Sequence, residues 1–295
     1  MTREEFETLT GQGIVYLDGA CGSNLYLAGM PRGICAEQWI LEHEQVMADL
    51  QRGYVEAGSQ MIYAPTFGAN RAALSLYGLE KQIREYNSRL VDLSRRAVGD
   101  RALVGGDLSP TGKVLTSQGG ETEVDEVYEI YREQIACLAE EGVDFLVAET
   151  MLSVEETMIA LDAAQSVCQL PVLCSLTLEA DGNALYGGNG VEAVEILQDM
   201  GASAVGVNCS VGPDQLENVI RNMKRAARIP ILAKPNAGLP LMDEQGNAHY
   251  SMGPREFALH MKKLVQAGAS LIGGCCGTTP EYIKKTRLLL EGRLI

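Results

Sequence analysis

Short runs of apolar residues alternate with longer amphipathic segments along most of the chain. The runs are rich in Val, Ile, Leu and Ala and show little polar alternation, which is typical of parallel strands buried on both faces. Eight such runs, separated by segments of helical periodicity, predict an α/β fold of the (β/α)8 TIM barrel type. The predicted strands are residues 15–18, 60–64, 102–106, 145–148, 172–176, 204–207, 231–234 and 270–272.

The segments between the runs give the helices and loops. Residues 123–141, 191–200, 214–227 and 281–290 have apolar positions at helical spacing. Thr279 and Pro280 have the residue types of an N-cap and a first helical position. The segment 30–42 is the most irregular, and residues 182–190 and 240–253 predict long loops. Because nothing in the sequence has the composition of a linker, we expect one domain over residues 1–295.

A weak internal repeat supports the barrel. In four segments a glycine is followed by a small residue, an apolar run and a polar pair, and eight positions separate the glycine from the last polar residue. Glycine at a helix end, then a strand, then a polar end describes one repeated βα unit. Since the chemistry of such barrels lies at the C-terminal ends of the strands, these ends should converge. The segments are residues 58–66, 142–150, 201–209 and 268–276.

Charge and composition exclude several classes of function. The chain has 24 Lys and Arg against 39 Asp and Glu, a net charge of −15, which argues against a nucleic-acid or anionic membrane partner. No apolar run reaches the ~18 residues of a membrane span, and the first residues lack the pattern of a signal peptide. We therefore expect a cytoplasmic protein whose eight cysteines are thiols or metal ligands rather than disulfides.

Three cysteines follow two of the predicted strands. Cys275 and Cys276 leave the last strand between glycines that let the backbone bend, and Cys209 ends the sixth strand. Three thiolates with one open position suit Zn²⁺ at a catalytic site. A substrate thiol in that position would lose its proton near neutral pH and become a nucleophile. The alternative is a buried turn of small residues.

The remaining cysteines and the histidines give weaker signals. Cys137, Cys168 and Cys174 lie in a predicted helix, a helix end and a strand, where core packing is the expected role. Cys21 and Cys35 are ambiguous, although Cys21 could line a pocket near the barrel mouth. The three histidines lack ligand spacing and are expected in helices or at the surface; they are His43, His249 and His260.

Two acidic residues end other strands. Asp18 and Glu149 follow the first and fourth strands, where lone acids often serve only as helix caps or ion pairs. As a pair they could hold an ammonium group, while the backbone N–H groups of Gly19, Ala20 and Cys21 could hold a carboxylate at a turn into a helix. With the thiol site, these groups describe an α-amino acid bearing a thiol.

Six motifs together resemble the zinc-dependent homocysteine S-methyltransferase family, which includes the homocysteine domain of cobalamin-dependent methionine synthase and betaine–homocysteine methyltransferase. The match covers nearly the whole chain in the family's order, and the Asn-Cys and Gly-Gly-Cys-Cys motifs are specific. The motifs are Asp-Gly-Ala-Cys-Gly-Ser at 18–23, Pro-Thr-Phe-Gly-Ala-Asn at 65–70, Glu-Thr at 149–150, Asn-Cys-Ser at 208–210, Lys-Pro-Asn-Ala-Gly at 234–238 and Gly-Gly-Cys-Cys-Gly-Thr at 273–278.

The resemblance implies a (β/α)8 barrel, zinc on the three cysteines, and methyl transfer to the thiol of homocysteine to give methionine. It also implies that Asp18 and Glu149 contact the homocysteine amino group, that Thr66 occupies a pocket position, and that Asn236 can approach zinc when the thiol is absent. A loop amide is the alternative role of Asn236. These residues and the cysteines form the candidate site.

The methyl donor and the acceptor leave alternatives open. The sequence has no segment that resembles a cobalamin- or folate-binding module, so the donor is a separate methyl-corrinoid protein, which we favour, or a small molecule such as S-methylmethionine or a betaine. With one tryptophan, Trp39, the supply of aromatic rings for a quaternary-ammonium cage is thin. Two further hypotheses are a zinc enzyme with another thiol acceptor and a non-catalytic subunit that binds zinc or homocysteine.

Overall fold

Parallel strands and helices alternate along the chain in a computed structural model that describes residues 1–243 and 248–293. The strands are β1 Val15–Tyr16, β2 Met61–Tyr63, β3 Leu103–Leu108, β4 Phe145–Met151, β5 Val172–Leu176, β6 Ala204–Asn208, β7 Ile231–Lys234, β8 Pro240–Met242, β9 Ala248–Tyr250 and β10 Ala269–Ile272. The helices are α1 Arg3–Gly11, α2 Gly22–Leu27, α3 Ala36–Glu42, α4 Glu44–Ala57, α5 Arg71–Ser75, α6 Ile83–Val98, α7 Val124–Glu140, α8 Val154–Val167, α9 Gly190–Asp199, α10 Glu217–Ala226, α11 Pro254–Ala267 and α12 Pro280–Leu290, with 3-10 turns at Glu80–Gln82, Gly99–Arg101 and Thr116–Gln118.

Eight of these strands form one parallel barrel. Their order in the sheet is β1-β10-β7-β6-β5-β4-β3-β2, and a parallel bridge between Leu17 and Met61 joins β2 back to β1. The eighth barrel strand is β10 because β8 and β9 pair only with each other, as an antiparallel hairpin in the connection after β7. The predicted (β/α)8 barrel is confirmed, and all eight predicted strands are present with small differences at their ends.

Alternate residues of each strand face opposite sides of the barrel wall. The apolar side chains therefore form two layers, and both stabilise the barrel. One layer packs between the strands and the outer helices. The other fills the barrel interior, and Phe6 of α1 joins it, so the first helix closes the end of the barrel where the strands begin. The interior layer is Phe6, Val15, Leu17, Met61, Tyr63, Phe145, Val147, Leu173, Ala204, Leu232 and Leu271.

The glycine repeat has the predicted backbone role. Gly58, Gly142, Gly201 and Gly268 all have positive φ, between 69° and 122°, at the ends of α4, α7, α9 and α11. This left-handed conformation ends a helix at little cost only for glycine. Each of these glycines therefore turns the chain from an outer helix into the next barrel strand.

The predicted helices agree closely with α7, α9, α10 and α12, and Thr279 is the N-cap before Pro280. Three predictions need correction. The segment 30–42 is not irregular throughout, because it contains α3, whose Trp39 and Ile40 are buried. The loop predicted at 240–253 contains the β8–β9 hairpin, and its residues 244–247 lie outside the described residues. Finally, β3 continues two residues beyond the predicted end at 106.

Candidate active site

The three candidate cysteine ligands lie at the C-terminal ends of β6 and β10, on either side of β7. The chain that leaves β7 holds both ends in place: Cys209 N–H donates to Lys234 O at 3.3 Å, and Cys275 N–H donates to Pro235 O at 2.8 Å. The carbonyl oxygen of Cys276 accepts a hydrogen bond from Ala237 N–H at 2.9 Å, which holds the Cys276 backbone in place. Residues distant in sequence therefore meet because their strands flank a common neighbour.

The sulfur positions fit a metal ion with an open coordination position. The Sγ atoms of Cys209, Cys275 and Cys276 all lie within 4.8 Å of one another, and Cys209 Sγ is 3.5 Å from Cys276 Sγ. Tetrahedral zinc with Zn–S bonds of about 2.3 Å separates its sulfur ligands by roughly 3.8 Å. The separations thus suit three sulfur ligands around one small ion.

The backbone at Cys209 is strained in a way that favours a functional role. Its φ is +47°, a left-handed conformation that non-glycine residues rarely adopt, and Thr150 after β4 has φ +61°. Such conformations cost about 1–3 kcal/mol and occur preferentially at functional sites. Thr150 N–H donates to Asn208 Oδ1 at 2.7 Å, and Asn208 Nδ2 donates back to Thr150 Oγ1 at 2.7 Å. The two strained strand ends therefore hold each other.

The thiols polarise one another. Hydrogen bonds from Cys209 and Cys275 lower the pKa of Cys276 to about 3, whereas the pKa of Cys275 is raised well above its usual value by hydrogen bonding to its two neighbours and by burial. The protons of the three thiols are thus coupled to one another through hydrogen bonds. A cation that replaces those protons would find three sulfur ligands already gathered.

Asp18 and Glu149 meet around a buried lysine. Lys234 Nζ donates to Asp18 Oδ1 at 2.6 Å and lies 3.8 Å from Glu149 Oε2, with its side chain 3% exposed. It also lies 3.6 Å from the centre of the Tyr63 ring, and Tyr63 N–H donates to Asp18 Oδ2 at 2.8 Å. Burial lowers the pKa of Lys234, but attraction to Asp18, Tyr63 and Glu149 outweighs it and leaves the pKa raised. The ammonium of Lys234 is therefore charged.

Sequence reasoning missed Lys234 and also Asp107, at the end of β3. Lys234 closes an otherwise apolar run, and a lysine inside a predicted buried strand was the available signal. Asp107 was missed because the predicted strand stopped at residue 106. Burial, and then the charge of Glu149, raises the pKa of Asp107 well above its usual value. Both side chains belong to the polar layer above the apolar barrel interior.

A cavity of about 370 Å³ lies beside the cysteines and the polar layer. Gly19, Ala20 and Cys21 of the predicted carboxylate-binding turn line it, as do the three cysteine ligands, Asp18 and Glu149. Ala20 N–H is engaged within the protein, since it donates to Thr278 Oγ1 at 3.0 Å. A Cβ at Gly19 would lie 2.7 Å from the Tyr54 ring, so only glycine fits there.

Thr66 and Asn236, in contrast, lie outside the described lining of this cavity. The Thr66 hydroxyl donates to Asp107 O and accepts from Asp107 N–H, both at 2.9 Å, so it joins β2 to β3. Asn236 Nδ2 donates to Ser210 O, while its Oδ1 is buried without a hydrogen-bond partner among the described residues. The substrate roles predicted for Thr66 and Asn236 stay predictions.

The other cysteines are free thiols that do not belong to the cluster. Cys137, Cys168 and Cys174 lie in α7, at the end of α8 and in β5, as predicted. Cys35 is buried 3.5 Å from Glu37 Oε2, and burial raises its pKa to about 11. Cys21 contacts Met47, with 3.8 Å between their sulfurs, and burial raises its pKa, so both thiols are neutral.

Two of the histidines, His43 and His249, contact groups other than the cysteines. His43 stacks on Trp39 with ring centres 4.2 Å apart, and its Nδ1 lies 2.9 Å from Trp39 O. His249 Nε2 lies 2.9 Å from Asp243 Oδ2 at the surface.

Within residues 1–243 and 248–293, no helix combines the length and apolar character needed to cross a bilayer.

Comparisons with known proteins agree with this fold. The family model described as homocysteine S-methyltransferase matches residues 15–290. Methionine synthase of Mycobacterium leprae is 31% identical over 95% of the chain, and that of Mycobacterium tuberculosis is 30% identical over 93%. The chain spans only 24% of the length of each of these relatives.

The solved structures show the same fold. The metallated form of the homocysteine methyltransferase MmuM from Escherichia coli superposes with a TM-score of 0.80 at 22% identity, covering 96% of this chain and 98% of that one. Its apo form superposes with a TM-score of 0.72 at 23% identity, covering 95% and 97%. Since the family model matches nearly the whole chain, the protein belongs to the homocysteine S-methyltransferase family.

Proposed function

We propose that this protein transfers a methyl group to the thiol of homocysteine, forming methionine, with zinc held by Cys209, Cys275 and Cys276. The observation that carries the proposal is the approach of the three sulfurs to within 4.8 Å in the wall of a cavity that also contains acidic groups. The similarity to the mycobacterial methionine synthases supports methionine as the product.

Each part of the substrate has a counterpart in the cavity. Bound zinc would supply Lewis acidity that lowers the pKa of the substrate thiol. Glu149, beside the Asp18–Lys234 pair, would hold the ammonium group, and the N–H groups of Gly19 and Cys21 would face the carboxylate. The apolar walls, including Leu25, would exclude water from the reacting sulfur.

The proposed methyl transfer requires no oxidant or reductant. The substrate sulfur gives up its proton to solvent and attacks the methyl carbon, so an S–C bond forms. The bond between the methyl group and the donor breaks, and its electron pair stays with the donor. The chain contributes by holding sulfur and methyl carbon in line, which accounts for a large part of the rate of such bimolecular reactions.

For the donor we favour a separate methyl-corrinoid protein that docks at the cavity mouth. Several large apolar side chains in the connections after β1, β2, β5 and β7 are exposed, and these connections surround the C-terminal ends of the strands. Phe67 lines the cavity, and contiguous exposed apolar patches mark protein-binding surfaces. The exposed side chains are Leu27, Phe67, Leu185, Tyr186, Leu239 and Leu241, which are 38–82% exposed. S-methylmethionine is the alternative donor.

The metal role is tested with Cys276→Ala, and Cys168→Ala, at the end of α8, is the matched control. The purified wild type should hold about one zinc, measured by elemental analysis, whereas Cys276→Ala should lose both metal and methyl transfer. The control should keep both. Full activity of the metal-free wild type would disprove the proposal.

The donor is tested with zinc-loaded protein, homocysteine, and either methylcob(III)alamin or S-methylmethionine, with methionine as the measured product. Faster turnover with methylcob(III)alamin supports a corrinoid donor. Preference for S-methylmethionine would reject it while keeping the acceptor and the metal. Binding of homocysteine with no transfer from any donor would instead favour the non-catalytic subunit.

A further inference from the structure

The carboxylate of Asp107 projects into the barrel interior at the cavity that holds the proposed substrate. Along β3, Gly105 faces the interior ring of Phe145, whereas Val104 and Leu108 belong to the outer apolar layer. Because side chains alternate along a strand, Asp107 points inward with Gly105. It is 5% exposed and lines the cavity.

The Asp107 carboxyl group forms a side-chain hydrogen bond with Glu149, which leaves one of its oxygens over. Its Oδ1 is buried without a hydrogen-bond partner among the described residues. The position of Asp107 in β3 is fixed by its backbone, which exchanges two hydrogen bonds with the Thr66 hydroxyl. A buried carboxylate oxygen without a partner is costly, so its place in a cavity wall indicates a ligand that completes it.

The charged groups around Asp107 indicate that its ligand is positively charged. Asp107 pairs in register with Val147 of β4, and Glu149 lies two residues further along that strand on the same inward side. Lys234 is the buried cation of this layer, and its close contact is with Asp18, at 2.6 Å. Both oxygens of Asp18 already accept hydrogen bonds, from Lys234 Nζ and Tyr63 N–H. Among the described residues of this layer, one positive charge therefore serves three carboxylates.

We infer that Asp107 is a substrate-binding residue that receives the α-ammonium group of the thiol substrate together with Glu149, while Asp18 acts mainly as the partner of Lys234. This inference rests on the proposed function, because it assigns one end of the same substrate. An ammonium has three N–H donors, enough to reach both carboxylates at once. Asp107 would thus select amino acids over thiols that lack an amino group.

The pKa shifts of the carboxyl groups in the polar layer agree with this assignment. Burial and the charge of Glu149 raise the pKa of Asp107, and burial raises that of Glu149. Raised pKa values at both groups mean that a nearby positive charge would favour their ionised forms. The ammonium group of the substrate would supply that charge.

The test measures binding of two thiols to the zinc-loaded protein by calorimetry. Homocysteine carries the ammonium, and 4-mercaptobutanoate is the same molecule without the amino group. Asp107→Asn removes the charge at nearly constant volume, and Asp107→Ser is a second variant in case the first folds poorly. Asp162→Asn, on the exposed side of α8, is the control for the same change in net charge.

We expect Asp107→Asn and Asp107→Ser to bind homocysteine about 10- to 100-fold more weakly, the usual effect of losing a charged hydrogen bond. Their affinity for 4-mercaptobutanoate and their zinc content should stay within about twofold of the control. Unchanged homocysteine binding, or an equal loss for both thiols, overturns the role of Asp107 and leaves the proposed function intact. A zinc-loaded wild type that binds neither thiol overturns the proposed function and this inference together.

Discussion

Lys234 is the residue on which the charge balance of the site depends. It is enclosed by Asp18, Glu149 and the face of the Tyr63 ring, and it is almost inaccessible to solvent. A buried ion pair adds little to stability when both partners are present, but removing one partner leaves the other charge without compensation. Lys234 therefore matters most for the acids that it neutralises.

We expect Lys234→Met to lower the free energy of unfolding by about 3–5 kcal/mol, measured by urea denaturation, because Asp18 would be left buried and unpaired. Lys263→Met, at an exposed position of α11, is the control and should change it by less than about 0.5 kcal/mol. In the double variant Asp18→Asn/Lys234→Met, part of the loss should be recovered. If the double variant lost as much free energy of unfolding as the two single variants added together, the pairing would be contradicted.

At the scale of single elements, β3 shows how a strand makes room for the site. Gly105 faces the barrel interior, where a Cβ would lie 2.2 Å from the Phe145 ring of β4. The missing side chain lets that ring fill the middle of the barrel, 5.9 Å from the Tyr63 ring. The polar layer then forms directly above this apolar floor.

Gly105→Ala should therefore destabilise the protein by about 1–3 kcal/mol through overpacking. Gly11→Ala, at a helical position with open space around it, is the control and should be neutral or slightly stabilising. Thermal or urea unfolding measures both. If the cause is the contact with Phe145, Gly105→Ala combined with Phe145→Leu should lose less than the two single changes added together.

For the whole molecule, the first helix and the candidate site lie at opposite ends of the barrel. The first helix closes the end where the strands begin, through Phe6, which is 1% exposed in the interior layer. The cysteines, the acids and the cavity occupy the other end, as is usual for this architecture. A substitution in the first helix should therefore leave the site at the other end intact.

Phe6→Ala should lower the free energy of unfolding by about 3–5 kcal/mol. Zinc content and the KM for homocysteine should not change at temperatures where the variant stays folded, because the cavity is formed by the opposite end. Leu259→Ala, which is half exposed on α11, serves as the control for loss of an apolar side chain. A Phe6→Ala protein that is folded but unable to bind zinc would contradict this separation.

The sequence predicted the barrel because its signals are local. Buried strands have near-continuous apolar composition, and glycines with positive φ mark the ends of four outer helices. The cysteine cluster was predictable for the same reason, since Cys209, Cys275 and Cys276 each follow a recognisable strand. The assignment of residues 1–295 to one domain, and the substrate roles of the site residues, stay predictions.

The sequence by itself determined the alternation of barrel strands and outer helices and, except at β3, which residues end the strands, because strand and helix periodicity and glycine turns are properties of neighbouring residues. Only the tertiary structure decided which side chains pair. Lys234 takes Asp18 as its partner across 216 residues of sequence, and Thr66 fixes the backbone of Asp107 from an adjacent strand. Such pairings depend on the strand order and register of the closed barrel, which no local pattern encodes.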